Sequence, residues 1–351
     1  ATTGRMLKSL PHIIENSIPF NMEADSLNAA ILGEDSAPGT ANFDIFIKEV
    51  RREMTTKAGQ KCTAIRRIMV PENYLEDVQI ALGKSLALTT IGDPANEKVR
   101  MGAIVNKSQV DVVRNRVLEM SQKTPIVFGD LDKFEVIGAD ANKGFFLPPI
   151  LMLNENPLIN TDSHDIECFG PVSTLMPYTG IEEAITLAKM GKGSLVSTIA
   201  TSDVHIATEY AIEAASYHGR ILILNEASAP ESTGHGSPMP QLMHGGPGRA
   251  GGGEELGGIG SVKHYLQRTA LQGHPSMLTE ITQRYQYGGM YKEKDVHPFR
   301  KYFEDLEIGD TVITAKHTIT VADIVNFANV SGDNFYAHMD ETSLEGTTFE
   351  G

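Results

Sequence analysis

Up to about residue 228, stretches with helical spacing alternate with short apolar runs, and that alternation confines the chain to an α/β layer structure. FDIFIKEVRREMTTKAG puts Phe43, Phe46, Ile47, Val50 and Met54 on one helical face. Gly59 follows, where a left-handed cap is expected to end such a helix. AIRRIMV, residues 64 to 70, reads as a strand that Pro71 ends. PENYLEDVQIALGKSLA reads as a helix with Pro71 near its start. RILILN, residues 220 to 225, reads as a short buried strand.

Residues 231 to 261 break the pattern, because their Gly and Pro content demands loop. GPGRAG inside them is formally G-x-G-x-x-G. A dinucleotide fingerprint needs a strand before it and a helix after it, and neither is expected here. A loop that requires small residues is the better reading. GHPSMLTEITQRYQYGGMYKEKDVHPF has mixed polarity and reads as a linker. YFEDLEIGDTVITAKHTIT then supplies a turn (Ile308-Gly309-Asp310) and an alternating strand, and VADIVNFANVSGD a short helix ending at Gly332. A domain boundary is therefore expected between about 273 and 296, in a chain of 351 residues with room for two or three domains.

Charge narrows the function. Thirty basic against forty-five acidic residues leave a net charge of -15, so no basic excess is available for nucleic acid or an anionic membrane. Two cysteines, Cys62 and Cys168, cannot build a disulfide framework, and no Cys/His zinc spacing is present. A reducing, cytoplasmic setting fits. No apolar run approaches the roughly 18 residues of a membrane span, and no signal peptide is evident. The chain starts at Ala1 without Met and ends in ETSLEGTTFEG, so both ends read as cut.

Cysteine attacks as a thiolate, with a free pKa of about 8.5. Cys62 lies in the polar loop GQKC between a helix end and a strand start, where a thiol can face a cleft. Taken alone it is either a nucleophile or a small buried filler. Its neighbourhood bears on the choice. GQKCTA resembles the nucleophile loop of the aldehyde dehydrogenase superfamily, and other segments match in order. MEADSLNAAIL resembles the segment with that family's glutamate base, though it departs from the common E-L-G-G-K form. IGDP, MGAIVN, GFFLPPIL, ECFGPV, HGRILILNEAS and GGPGRAGGGEELGG resemble later family stretches.

The resemblance implies the roles. Cys62 would attack an aldehyde and form a thioester after hydride transfer to NAD(P)+. Glu23 would activate water and help deprotonate the thiol. Glu167 of ECFGPV would hold the nicotinamide ribose. ATTGRMLKSL resembles the end of the cofactor-binding turn, placing Thr3 (or Thr2), Gly4 and Arg5 beside the pyrophosphate. The family's oxyanion asparagine and the adenine-side residues would precede residue 1. Cys168 stands where the family has an apolar residue and is expected to pack in the core. His164 and Asp165 read as a solvated polar pair without a role.

SGDNFYAHMDE resembles the S-G-D-x-N-P-x-H-x-D motif of MaoC-like (R)-specific enoyl-CoA hydratases, with Phe335-Tyr336 replacing Asn-Pro. The resemblance implies that Asp333 and His338 add water to an enoyl thioester in a hot-dog fold whose remaining elements would follow residue 351.

The expected fold class is α/β: an aldehyde dehydrogenase catalytic domain with a three-layer, mostly parallel sheet, then the start of an α+β hot-dog domain. The expected segments are 1–24, a remnant of the NAD(P)-binding domain; 25–228, the catalytic domain; 229–272, its Gly-rich end; 273–296, the linker; and 297–351, the hydratase start. The two halves together resemble the PaaZ-like bifunctional ring-opening enzymes of phenylacetate degradation. That implies oxepin-CoA hydration and ring cleavage, then oxidation of the CoA semialdehyde with NADP+ (NAD+ as the alternative), in a homo-oligomer. The rival readings are another semialdehyde dehydrogenase fused to an enoyl-CoA hydratase, and a non-catalytic scaffold with a dehydrogenase shell.

Overall fold

The computed structural model describes residues 2–239, 242, 244–251, 262–282, 284, 286–289, 302–306, 308 and 318–335. The chain divides into two compact units, Ala1–Gln267 and Arg268–Gly351. The first begins with two short helices, α1 (Thr2–Lys8) and α2 (Pro11–Glu15). Its centre is a seven-stranded sheet of β1 (Asn28–Leu32), β2 (Ile65–Pro71), β4 (Ile126–Phe128), β6 (Ile150–Leu153), β7 (Val172–Tyr178), β8 (Ser194–Ala200) and β9 (His218–Leu224). The order is β4-β6-β7-β2-β1-β8-β9, and only β4 runs antiparallel to its neighbour. Two short strands, β3 (Ile91–Gly92) and β5 (Val136–Ile137), pair separately.

The three layers follow from strand alternation. Ala30, Leu32, Ile68 and Val70 face one side, where α3 (Ala41–Thr55) and α4 (Leu75–Ala87) contribute Phe46, Val50, Met54, Val78 and Leu82. Ala29, Ile31 and Met69 face the other, against Leu187 of α7 (Ile181–Lys189) and Tyr210 of α8 (Val204–Ala214). Both faces of β1, β2 and β8 are covered, so these strands are buried along their whole length. A third cluster packs Val113, Val117 and Met120 of α5 (Lys107–Met120) against Ile150 and Met152.

The apolar stripe of α3 is buried as its spacing predicts, and Thr40 caps the helix by accepting from the Phe43 N–H. Three expectations are corrected. Pro71 pairs with Tyr178 as the last residue of β2, and α4 begins only at Leu75 after a 3-10 turn at Glu72–Tyr74. RILILN is only partly buried, and among the described residues β9 has a sheet neighbour on one side, so it is an edge strand there. His164 is not solvated: it lies in a short helix, α6 (Asp162–Asp165), and is fully buried, while Asp165 pairs with Lys192 at the surface.

His164 is needed by a buried cation. Arg67 of β2 donates to the carbonyls of Leu27, Leu187 and Ala188 and to His164 Nδ1 at 3.1 Å. A guanidinium only donates, so Nδ1 accepts and His164 Nε2–H donates to the Pro157 carbonyl. Burial, then the Arg67 charge, pushes His164 down to about 4; the same causes push His218 down to about 3. Burial also holds His235 well below its ordinary value. Unfolded, these rings titrate near 6.5. The unfolded state therefore binds the extra protons, and stability falls as pH drops below about 6.5, by up to about 1.4 kcal/mol per pH unit per ring. Glu53 and Glu167, raised by burial, act with the opposite sign and offset part of the loss. Urea midpoints at about pH 7.5 and about pH 5.5 should differ clearly; equal midpoints would mean these rings are not buried neutral.

In the second unit the described residues include a helix at Pro275–Thr282, inside the stretch read as linker, and a helix at Val321–Ser331. Thr320 and Asp323 form a capping box for the latter, and Gly332 ends it in the left-handed conformation at φ 74°. Most of the strand expected after Ile308-Gly309-Asp310 lies outside the described residues.

Candidate active site

The GQKC loop has a separate physical reason for each residue. Helix α3 ends at Thr55, and Lys57, Ala58 and Gly59 all take positive φ. Gly59 is thus left-handed as expected, but it closes a three-residue turn rather than capping α3 directly. A Cβ on Gly59 would meet the Gly170 carbonyl oxygen at 2.2 Å. Gly59→Ala should therefore cost about 3 kcal/mol or more, from strained φ and a backbone clash. A denaturation midpoint equal to that of the unchanged protein would refute this. Gln60 accepts from the Val105 N–H at 2.8 Å, and Lys61 pairs at 2.8 Å with Glu53, which is buried. With both neighbours held, Cys62 is exposed at the tip.

The Cys62 backbone is also pinned. Asn28, the first residue of β1, donates to the carbonyls of Cys62 and Ala64 at 2.8 and 2.9 Å. Its Oδ1 accepts from Ser26 Oγ and the Val196 N–H. The Ser26 N–H in turn donates to Glu167 Oε1 at 3.3 Å. Arg66, buried beside Phe169, donates to the carbonyls of Gly59 and Gly170 and so ties the cysteine loop to the Glu167 loop. Burial pushes the Glu167 carboxyl up, against the pull of Arg66 and the Ser26 N–H.

These segments meet at the amino ends of parallel strands. Glu23 to Ser26 precede β1, Cys62 precedes β2, Glu167 and Phe169 precede β7, and Leu195 lies near the start of β8. They line one cleft of about 280 Å3, with Ala250 and Gln109. Open α/β sheets usually place sites at the carboxyl ends, so sheet direction alone would point to the wrong edge.

The Gly-rich segment contributes Ala250 to the cleft. Gly248–Ala250 is a 3-10 turn, no strand directly precedes it among the described residues, and the place of a following helix lies outside them. Gly251, at φ 79°, lies so close to Met22 that a Cβ would sit 1.4 Å from its carbonyl oxygen. Arg249 pairs with Asp25 and donates to the carbonyls of His164 and Asp165. The loop is thereby pressed onto the Glu23 segment and delivers His244. Glu23, Cys62 and His244 each present a side-chain O, S or ring N within 4.8 Å of the other two. Glu23 Oε1 and His244 Nε2 are 3.8 Å apart.

Cys168 packs in the core with Sγ 3.7 Å from Met120 Sδ, and burial pushes its thiol up to about 12. It is no nucleophile. Thr3 and Gly4 lie in α1, where Gly4 rests against the Met22 side chain next to Glu23. Asp333 follows the Val321–Ser331 helix; its N–H donates to Ser331 Oγ and its Oδ1 accepts from the Phe335 N–H. His338 lies outside the described residues.

A family model described as "Aldehyde dehydrogenase family" matches residues 2–271. The chain belongs to the aldehyde dehydrogenase family. It is 50% identical over 250 residues to "Protein MaoC" of Klebsiella aerogenes, covering 71% of this chain and 73% of that protein. It is 39% identical over 247 residues to a 3,4-dehydroadipyl-CoA semialdehyde dehydrogenase of Aromatoleum evansii, covering 70% of this chain and 48% of that one. The chain thus spans about half the length of that second relative. A solved aldehyde dehydrogenase of Burkholderia cenocepacia, described as putative, superposes with a TM-score of 0.63 at 21% identity, over 75% of this chain and 50% of its own. A betaine aldehyde dehydrogenase of Staphylococcus aureus, solved with NAD+, superposes at 0.61 and 21% identity, over 75% and 49%. These two show the fold of the dehydrogenase unit.

Within that family frame, the cleft offers a hydrogen-bond acceptor that fits the ribose of a nicotinamide cofactor. Glu167 lines the same cleft as Cys62, with one carboxylate oxygen engaged by Ser26. A carboxylate accepts hydrogen bonds, which matches a ribose diol.

Sequence reasoning missed Ser26, Asn28, Arg66, Arg249 and His244. Two of them left a legible trace: Arg66 interrupts an apolar strand, and Asn28 opens a run of small apolar residues. His244 left none, because its 182-residue distance from Cys62 (244 less 62) closes only in the fold.

Proposed function

We propose that the dehydrogenase unit oxidises an aldehyde carried on a coenzyme A thioester to the acid, through a covalent thioester on Cys62. What carries this reading is the meeting of Glu23 and Cys62, reactive atoms within 4.8 Å, in a cleft shared with Glu167. The Cys62 thiol gives up its proton, with Glu23 beside it as acceptor, and Sγ bonds to the aldehyde carbon. NADP+, with NAD+ as the alternative, would supply the hydride acceptor when bound. Glu167 would hold its nicotinamide ribose, and Thr3 and Gly4 would lie toward the pyrophosphate. After passing the thiol proton to solvent, Glu23 takes a proton from water as the water oxygen attacks the thioester carbonyl. The acid leaves and the thiol is restored.

The second unit would act first, as a MaoC-like hydratase. Asp333 and His338 would position one water for addition to oxepin-CoA, and ring opening would yield the semialdehyde. The likeness to "Protein MaoC" supports a hydratase partner on the same chain. The protein would act as a cytoplasmic homo-oligomer. The 39% identity to a 3,4-dehydroadipyl-CoA semialdehyde dehydrogenase favours one second reading, a different CoA semialdehyde as substrate.

Separate assays of two variants of the intact protein test the division of labour. Cys62→Ala should lose aldehyde oxidation and keep hydration, and Asp333→Ala should do the reverse. Losses on the order of 10^4-fold for Cys62→Ala and 100-fold for Asp333→Ala are expected. If either change leaves both activities untouched, the bifunctional reading fails for that site. Failure of an aldehyde-mimicking electrophile to label Cys62 would favour a scaffold.

A further inference from the structure

Glu23, Cys62 and His244 bring together a carboxylate oxygen, a thiol sulfur and a ring nitrogen, all within 4.8 Å of one another. Zinc binds these three donors at about 2.0–2.3 Å, which in a tetrahedron sets them roughly 3.3–3.7 Å apart. The Glu23 and His244 atoms, 3.8 Å apart, are already near that spacing. Cys62 is exposed at the tip of its loop and can close the remainder by a rotamer change. The His244 side chain is only 11% exposed, which makes it the most buried donor of the three.

We propose that these three side chains form a binding site for a thiophilic divalent cation with the chemistry of Zn2+, and that occupancy shuts off the dehydrogenase. The donor set selects the metal class. Sulfur and imidazole suit zinc or cobalt, whereas magnesium and calcium require oxygen cages. Three protein donors leave the fourth position to water. Asp25 and Glu167 line the same cleft, but Arg249 pairs with Asp25 and the Arg66 charge acts on Glu167, so affinity rests on the three donors themselves.

On binding, the Cys62 S–H bond breaks, its proton goes to solvent, and the sulfur lone pair forms the metal bond. No electron is transferred. That lone pair can then no longer attack an aldehyde, and the Glu23 oxygen is committed to the metal. No short zinc spacing occurs in the sequence because the donors come from residues 23, 62 and 244. Metal binding does not depend on the proposed reaction; the shut-off rests on Cys62 being the nucleophile.

The test uses the intact protein, Zn2+ and Co2+ as probes, and iodoacetamide alkylation of Cys62 as a readout that needs neither aldehyde nor cofactor. About one equivalent of Zn2+ should protect Cys62, and chelation should reverse the protection. Co2+ should produce a thiolate-to-cobalt charge-transfer absorption. In His244→Gln, protection should require about tenfold more Zn2+ or beyond, while metal-free alkylation persists and shows the loop intact. Identical Zn2+ protection curves for the two proteins would overturn the proposal, as would no protection in the unchanged protein. If Cys62 resists alkylation without metal, the nucleophile reading fails instead, and the cobalt absorption alone decides the metal site.

Discussion

Cys62→Ala should lower aldehyde oxidation by on the order of 10^4-fold or more, because the covalent route has no substitute nucleophile. Among the described residues the other cysteine, Cys168, is buried against Met120 with its thiol pushed up to about 12. It cannot take over. The loop itself should survive, since it is held by Asn28 through backbone carbonyls and by Arg66 through Gly59. Unchanged melting together with lost turnover is the expected pair of results. Activity within tenfold of the unchanged protein would place the chemistry elsewhere.

Glu23→Gln should separate the two halves of the reaction. Its carboxylate is the water-activating base, so steady turnover should fall by about 100-fold to 10^4-fold. Acyl transfer to Cys62 needs a proton acceptor only for the thiol, a role that hydroxide can take over when pH is raised. A single burst of reduced cofactor, close to one per site, should therefore remain above about pH 8. Loss of burst and turnover together would assign Glu23 to thiol activation alone.

The parts legible in the sequence were those written in short windows. The α3 stripe follows helical spacing, and GQKC and ECFGPV carry their chemistry locally. What stayed hidden depends on long-range closure. RILILN has the composition of a buried strand, yet among the described residues β9 is the last strand of the sheet, which no window of residues encodes. His164 has a polar local context, but Arg67, nearly a hundred residues earlier, draws it into the interior. Arg66 is another case: its two carbonyl partners, Gly59 and Gly170, become neighbours only when β2 pairs with β7. The Gly-rich loop required small residues as expected. The reason, contact between Gly251 and the Met22 carbonyl, came only from the fold.

The most direct measurement is the mass of the Cys62 peptide from the Glu23→Gln protein after a single turnover with semialdehyde-CoA and NADP+. An acyl adduct on Cys62, in amount equal to the reduced cofactor formed, is the expected result. Reduced cofactor without an adduct, or an adduct on any other residue, would contradict the assignment of Cys62 and Glu23 as nucleophile and base.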